Sequence, residues 1–355
     1  DGFTEFFMRG FPPMIGLDPF ENADRFAPAA KQMVDANSAV VAMSGPPLMH
    51  GTGCWLGLMF PHMLGGTSVL LENRGFKPEE VWSTVERDRI SQVIIVGDAF
   101  AKPLLRALET EVDRWDTSSL KLMISSGAMF TTEVKRGLIE HVPELAIADI
   151  LGSTEGGMGQ SIMTKDTPAS ETAKFTLLPV AKVLVPDGSR EVTAGSGEVG
   201  MVAQGGMVPL GYYKDPEKSA KTFKEVDGKR YAFIGDMATV EADGTINLLG
   251  RGSNCINTGG EKVFPEEVEE ALKLHADVAD ALVFGIEDER FGNRVAGVVS
   301  LEQGGAAEAG DILEATRKLL ASYKLPKDLL VVPVVPRAPN GKADYKTAKS
   351  MMASD

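Results

Sequence analysis

A mostly parallel α/β sheet with flanking helices, then a small antiparallel β unit, then an α+β C-terminal domain is the fold the sequence predicts. Three observations carry it. Short apolar runs alternate with helix-like segments from residue 38 to about residue 155, which is the rhythm of βαβ units. From 176 to 250 the helix-like segments stop, and short strands are joined by Gly/Asp turns at PDG, VDG and ADG, as antiparallel hairpins require. After Gly250 helices and strands return together, over a length that suits one compact α+β domain. The expected divisions are 1–175, 176–250 and 251–355.

The elements follow in order. SAVVAMSGPP, CWLGLMFPHMLGG and TSVLLEN read as strand, helix and strand, with Gly65-Gly66 stopping the helix. Pro78 opens the next helix at its first position, with Glu79 and Glu80 against the positive end of the helix dipole. VIIVG (93–97) is a buried strand, DAFAKPLLRALE a helix and KLMISSGA a strand. TTEVKRGLIEHV is a helix with Thr131 or Thr132 as N-cap, and LAIADILGSTEGG is a strand that enters a loop. KVLVPDGSREV, GEVGMVAQGG, GYYKDPE and KRYAFIGDMATVEADGTINLLG are short strands and turns. Beyond Gly250, Pro265 with Glu266 and Glu267 starts the helix PEEVEEALKLH. ADALVFGI and RVAGVVSLE are strands, DILEATRKLLASY is a helix, and LLVVPVV is a strand.

With 355 residues, 43% of them hydrophobic, the chain can bury more than one core. No apolar run approaches the ~18–20 residues a bilayer span needs, and the VVAMSGPPLM run is broken by Gly45, Pro46 and Pro47. Cys54 and Cys255 are far apart and lack metal spacing, so neither a disulfide framework nor a zinc site is read, and a reduced, cytoplasmic setting is expected. The formal charge of −14 argues against nucleic acid as a partner. Residues 317–349 nevertheless carry eight Lys/Arg against Asp328 and Asp344, either a solvated basic face or an approach for a small polyanion. A homodimer is compatible with the sequence. The opening DGFTEFFMRGF has no initiator Met and resembles no natural start, so the chain is expected to be a fragment.

Several stretches could carry chemistry. GSTEGG (152–157) follows a strand, where ligands of parallel sheets gather. A Thr hydroxyl there can bond a phosphoryl oxygen and a Glu can hold Mg²⁺, while a plain Gly/Ser turn with an exposed Glu has the same composition. SSGAMF (125–130) has small residues against which a planar group could lie, or which a tight strand-to-helix turn would need. Asp236, expected at a strand end, could accept from ribose hydroxyls or form an Asx turn. Arg251 could pair with a phosphate or with a surface carboxylate. Lys342, in PNGKADYK, lies on a Gly-flexed loop that lacks the Ser/Thr of a Walker motif. The stretch GRGSNCINTGGEKVFPEEVEEAL (250–272) looks like a phosphate loop. Its helix, however, begins with two carboxylates, which repel an anion there. It is read instead as a flexible link whose Gly259-Gly260 lets another segment or a ligand come close.

The order and spacing of GSTEGG, then Gly235-Asp236, then GRGSNCINTGGEKVFPEEVEE, then Gly341-Lys342 resembles the ANL superfamily of adenylate-forming enzymes. PLMHGTG and GKADYK are most similar to its fatty-acyl and steroid-side-chain CoA ligases. The resemblance covers essentially the whole chain. It implies an ATP-dependent acid-thiol ligase acting in two steps, with Mg²⁺, ATP and coenzyme A. A hydrophobic carboxylic acid attacks the α-phosphorus to give acyl-AMP; a mobile C-terminal domain then turns and the thiol of coenzyme A takes the acyl group. Residues 1–175 would be part of the large adenylating domain.

By the same resemblance Thr154 would touch the α-phosphate, Glu155 would hold Mg²⁺, Asp236 would bind the ribose beside Arg251, and Lys342 would bridge carboxylate and phosphate. Gly127 and Ala128 would line the adenine and acyl pockets. Asp149, Leu151, Gly152 and Ser153 would lie along the adenine, and Gly259 and Gly260 would face the pantetheine arm. His50 would stand at the acyl-pocket entrance with Met49, Trp55 and Gly157 near it, although core packing is the commoner role for Trp55, Met59 and Met63. The chain departs from the family in three ways: Leu151 replaces a stacking aromatic, Ser253 replaces a charged hinge residue, and no Ser/Thr/Gly-rich phosphate loop with its Lys is found. This chain alone is therefore expected to adenylate poorly. Alternatives are a ligase that passes its acyl-AMP to a carrier protein, and a non-catalytic member of the fold. Amino-acid activation is disfavoured because PLMHGTGCW holds no Asp.

Overall fold

The computed structural model describes residues 7–73, 75–167, 172–338 and 343–352; Lys342 and Gly341 lie outside the described residues. The chain divides into two compact units, one reaching to Ile234 with Thr239–Asn247, the other made of Gly235–Ala238 and everything from Leu248.

Five parallel strands open the sheet of the first unit: β1 (Val41–Ser44), β2 (Thr67–Val69), β3 (Gln92–Ile95), β4 (Leu122–Ser126) and β5 (Ala146–Ser153), in the order β2-β1-β3-β4-β5. Between them run α1 (Phe26–Asp35, ahead of β1), a π-helix at Thr52–Met59 that continues as α2 (Phe60–Met63), α3 (Pro78–Arg87), α4 (Asp98–Thr110) and α5 (Thr132–His141). Alternate side chains of each strand enter different cores, as a pleat with a two-residue period demands. Met43, Val93, Ile95, Met123 and Ile147 pack with Trp82, Leu104 and Leu138. Ala42, Ile94, Ile124, Ala148 and Ile150 pack with Phe11, Leu56 and Phe60.

The antiparallel strands expected after 176 extend this same sheet. β6 (Gly156–Met163) pairs antiparallel with β5, and β7 (Lys174–Leu177) joins β6. The order continues through β8 (Ala181–Leu184), β9 (Gly200–Gln204), β10 (Phe223–Val226), β11 (Lys229–Val240) and β12 (Ile246–Arg251) as β7-β12-β11-β9-β8, with β10 on β11. GYYKDPE is not a strand. Asp215 caps a helix, α6 (Pro216–Thr222), by accepting from Lys218 N at 3.0 Å, with Pro216 at its first position.

In the second unit β13 (Ile256–Thr258), β14 (Glu261–Val263), β15 (Val278–Asp288) and β16 (Gly292–Leu301) take the order β14-β13-β16-β15, with β17 (Asp328–Val331) parallel to β16. α7 (Pro265–Lys273) and α8 (Ala309–Thr316) bury Val268, Leu272 and Ile312 on one side of this sheet. α9 (Tyr345–Met352) covers Leu282 and Phe284 on the other. The helix expected over DILEATRKLLASY ends at Thr316, whose hydroxyl turns back to donate to Ile312 O at 2.7 Å.

The stretch 250–272 is mostly regular structure. Thr258 faces Glu261 across a two-residue hairpin turn at Gly259-Gly260, where φ is +59° and +93°. Both central residues of such a turn must be left-handed, so two glycines are what the geometry asks for.

Candidate functional site

In the first unit the carboxyl ends of β4 and β5 carry the sequence-predicted groups. Leu151 is buried on β5, and the pairing with β6 shifts register between Leu151 and Gly152, so the last residues of the strand are re-aimed. Ser153 pairs with Gly156, which makes Thr154-Glu155 the two-residue tip of a β-hairpin rather than part of an open loop. Gly156 has φ +148°, and a Cβ there would lie 2.2 Å from Gln204 Nε2. Gly157 sits opposite Gly152 on β6.

The tip organises one carboxylate. Ser153 Oγ donates to Glu155 Oε2 at 2.7 Å and Thr154 Oγ1 donates to the same oxygen at 3.2 Å. Tyr212 Oη donates to Glu155 Oε1. The Glu155 amide is itself satisfied by Ser153 Oγ at 3.1 Å. Burial pushes the Glu155 carboxyl up, but the hydroxyls of Tyr212, Ser153 and Thr154 together with a backbone amide outweigh it and hold it below the ordinary carboxylate value. Glu155 is thus an ionised, half-buried carboxylate. Thr154, expected to reach a phosphate, here points its hydroxyl at its own neighbour.

Beside the tip, β4 ends at Ser126, followed by exposed Gly127 and Ala128. Gly127 has φ +91°, and a Cβ there would stand 3.3 Å from the His50 ring. The structure therefore brings His50 and Gly127 together from separate βα loops. His50 Nδ1 accepts from Thr52 N at 3.2 Å. Met49 is exposed, whereas Trp55 packs against the core around Phe60. Asp149 is committed elsewhere. Its carboxylate lies 2.8 Å from Lys135 Nζ of α5, and both side chains are buried. Thr131, at the N-cap of α5, makes no capping bond; its hydroxyl and amide both donate to Asp98 Oδ1.

In the second unit Asp236 lies inside the long strand β11, not at a strand end, and follows Gly235 at φ +97°. It is buried, and Arg251 Nε at the end of β12 donates to its Oδ1 at 3.3 Å. Glu266 of α7 turns back toward this strand end and accepts from Arg251 N at 3.4 Å. A Cβ at Gly250 would lie 2.2 Å from Glu266 Oε2, so the glycine makes room for that carboxylate. Burial raises the Glu266 carboxyl above its ordinary value, with smaller opposing hydrogen bonds. Ser253 is exposed in a 3-10 turn, Gly252–Asn254, and its hydroxyl donates to Asn254 Oδ1 at 3.5 Å.

Sequence reasoning missed Tyr212, Lys135 and Gln204. The D-P-E start of α6 was the available sign that GYYKDPE leads into a helix and not along a strand. Among the described residues no group of three or more His, Cys, Asp or Glu could hold a metal ion by itself. No helix among them is long and apolar enough to cross a membrane.

Residues 22–213 match the family model of the AMP-binding enzymes, and residues 267–342 match that of the AMP-binding enzyme C-terminal domain. A medium/long-chain-fatty-acid–CoA/3-oxocholest-4-en-26-oate–CoA ligase of Mycolicibacterium smegmatis is 43% identical over 329 residues, covering 91% of this chain and 58% of that protein. A 3-oxocholest-4-en-26-oate–CoA ligase of Rhodococcus rhodochrous is 41% identical, over 88% of this chain and 57% of its own length. This chain spans a little over half the length of these relatives. Among solved structures, the anthranilate CoA ligase AuaEII in complex with anthranoyl-AMP superposes with a TM-score of 0.76 at 23% identity, over 93% of this chain and 64% of that one. The amide bond synthetase McbA from Marinactinospora thermotolerans superposes with a TM-score of 0.74 at 25% identity, over 91% and 65%.

Proposed function

The chain belongs to the AMP-binding enzyme family, and from that premise we propose that the whole protein is an acid-thiol ligase joining a hydrophobic carboxylic acid to coenzyme A through acyl-AMP. The Glu155 hairpin carries this reading. It presents an ionised carboxylate and two hydroxyls at the carboxyl end of a parallel strand, where ligands of open α/β sheets collect. The names of the relatives support a fatty acid or a steroid side-chain acid as substrate.

In the first step a carboxylate oxygen of the acid attacks the α-phosphorus of ATP and pyrophosphate leaves. In the second the thiol sulfur of coenzyme A attacks the acyl carbon and AMP leaves. Thr154 would turn its hydroxyl from Glu155 to the α-phosphate. Asp236 would accept from ribose hydroxyls, with Arg251 as its cation. Leu151, Gly152, Ser153, Gly127 and Ala128 would bound the adenine and acyl groups, His50 would guard the acyl entrance, and Lys342 would bridge carboxylate and phosphate. Gly259 and Gly260 would lie along the pantetheine arm and Ser253 would be the pivot.

Mg²⁺ fits these residues. A single carboxylate, with no cluster of three or more His, Cys, Asp or Glu around it among the described residues, is the donor set of an ion that takes its other oxygens from water and from substrate phosphates. Glu155 would hold it, and when bound it would neutralise charge building on the phosphates.

The test is thioester formation from supplied lauroyl-adenylate and coenzyme A. Lauroyl-CoA should accumulate with this protein and fall about 100-fold or more in Asp236→Ala if that carboxylate orients the nucleotide. Failure to consume lauroyl-adenylate would remove the reading.

A further inference from the structure

Glu155 reaches Tyr212 across 57 residues of chain, and the surroundings of that tyrosine fix where its phenol points. Tyr212 N donates to Ser219 Oγ at 2.8 Å, and Ser219 Oγ in turn donates to Asp215 O at 2.6 Å. The ring packs on Phe223 with centroids 5.3 Å apart, and Lys218 Nζ stands 4.1 Å from the ring centroid on α6. α6 is thus a mount for Tyr212.

The carboxylate it meets has about four acceptor positions, two on each oxygen. On Oε2 both are taken, by Ser153 and Thr154; on Oε1 one is taken, by Tyr212. The position left over is on Oε1, the oxygen that the phenol holds. Among the described residues no cation pairs with Glu155, so the side-chain groups that orient its carboxylate are the hydroxyls of Ser153, Thr154 and Tyr212.

We propose that Tyr212 is a positioning residue for Glu155: its phenol fixes Oε1 so that this oxygen presents its remaining lone pair to the divalent cation of the nucleotide. This deepens the function proposed above and rests on it. Thr154 can leave Oε2 for a phosphate without releasing the carboxylate, because Tyr212 and Ser153 still hold one oxygen each. The groups acting on Glu155 are Ser153, Thr154 and a backbone amide from its own hairpin, and Tyr212 from the segment before α6.

Tyr212→Phe tests the proposal, since it keeps the ring on Phe223 and under Lys218 and removes only the hydroxyl. Two readouts are needed: Mn²⁺ affinity in the presence of ATP, followed by electron paramagnetic resonance, and the titration of the Glu155 carboxyl carbon by NMR. The expected result is about tenfold weaker Mn²⁺ binding, the usual scale for loss of a group that orients a metal ligand, with the Glu155 titration moved to higher pH. Ser219→Ala, which frees the Tyr212 backbone, should move both in the same direction by less. Equal Mn²⁺ affinity in the wild type and Tyr212→Phe would overturn the Tyr212 role alone. No Mn²⁺ binding with ATP by the wild type, with Glu155 still shifted by Tyr212→Phe, would instead overturn the proposed function and the cation role with it.

Discussion

At the scale of single residues, a carboxylate is defined by what surrounds it. Glu155 and Glu269 show opposite outcomes. Hydroxyl donors hold Glu155 below the ordinary value, so its charge is present above about pH 4.5 and is lost only as pH falls through its lowered pKa. Glu155→Gln should therefore remove the acid-side loss of cation binding while lowering affinity at neutral pH, as a pH series of Mn²⁺ titrations would show. Glu269 of α7 is pushed by burial up to about 7, against the pull of Lys273 and of the Val283 amide, which donates to it at 2.9 Å. Its folded pKa is raised, so the stability it contributes is full below about 4.5 and lost as pH rises through about 7. Thermal melts from pH 5 to pH 8 should show the second unit weakening, and Glu269→Gln should flatten that dependence; an unchanged slope would contradict the assignment. Residue identity was legible in the sequence where a motif fixed both type and position, as in GSTEGG. Its partner Tyr212 was not, because the contact depends on how β5, β6 and α6 fold together.

At the scale of elements, two features lend themselves to mutation. The Gly259-Gly260 turn predicts that Gly260→Ala costs about 1 kcal/mol through backbone strain alone, because nothing lies within 4 Å of its added Cβ. Gly259→Ala should cost more, since its Cβ would meet Phe291 at 3.1 Å. Gly260→Asn should be nearly neutral, as Asn tolerates a left-handed conformation. Were the segment a flexible link, none of the three would change the melting temperature. The Lys135–Asp149 pair ties α5 to β5 with both side chains buried. Lys135→Met alone should cost about 3–5 kcal/mol by stranding a buried charge, whereas Lys135→Met with Asp149→Leu should recover most of it. Chemical denaturation of the single and double variants gives the comparison. Strand and helix existence follows from apolar periodicity through the parallel half from residue 38 onward, whereas α1 ahead of β1 and α9 near the end of the chain go unread. Farther along, α6 is signalled only by its D-P-E start, and the glycines at 256–263 suggest looseness although two left-handed residues make a tight turn.

At the scale of the whole molecule, the α/β class and the antiparallel strands were legible because periods of two and of 3.6 residues are local properties. That the antiparallel strands continue one sheet was not, since β7, paired with nearby β6, also pairs with β12 about seventy residues farther along the chain. The family rests on the match over residues 22–213, while the ligase activity is a proposal for a protein of which this chain spans a little over half by its relatives' length. The most direct measurement of that proposal is calorimetric binding of a non-reactive acyl-sulfamoyl adenosine, a stable stand-in for acyl-AMP. Saturable binding is expected, weakening about tenfold or more in Asp236→Ala, the scale of losing hydrogen bonds to a charged acceptor. No binding, or binding that is indifferent to Asp236, would contradict it.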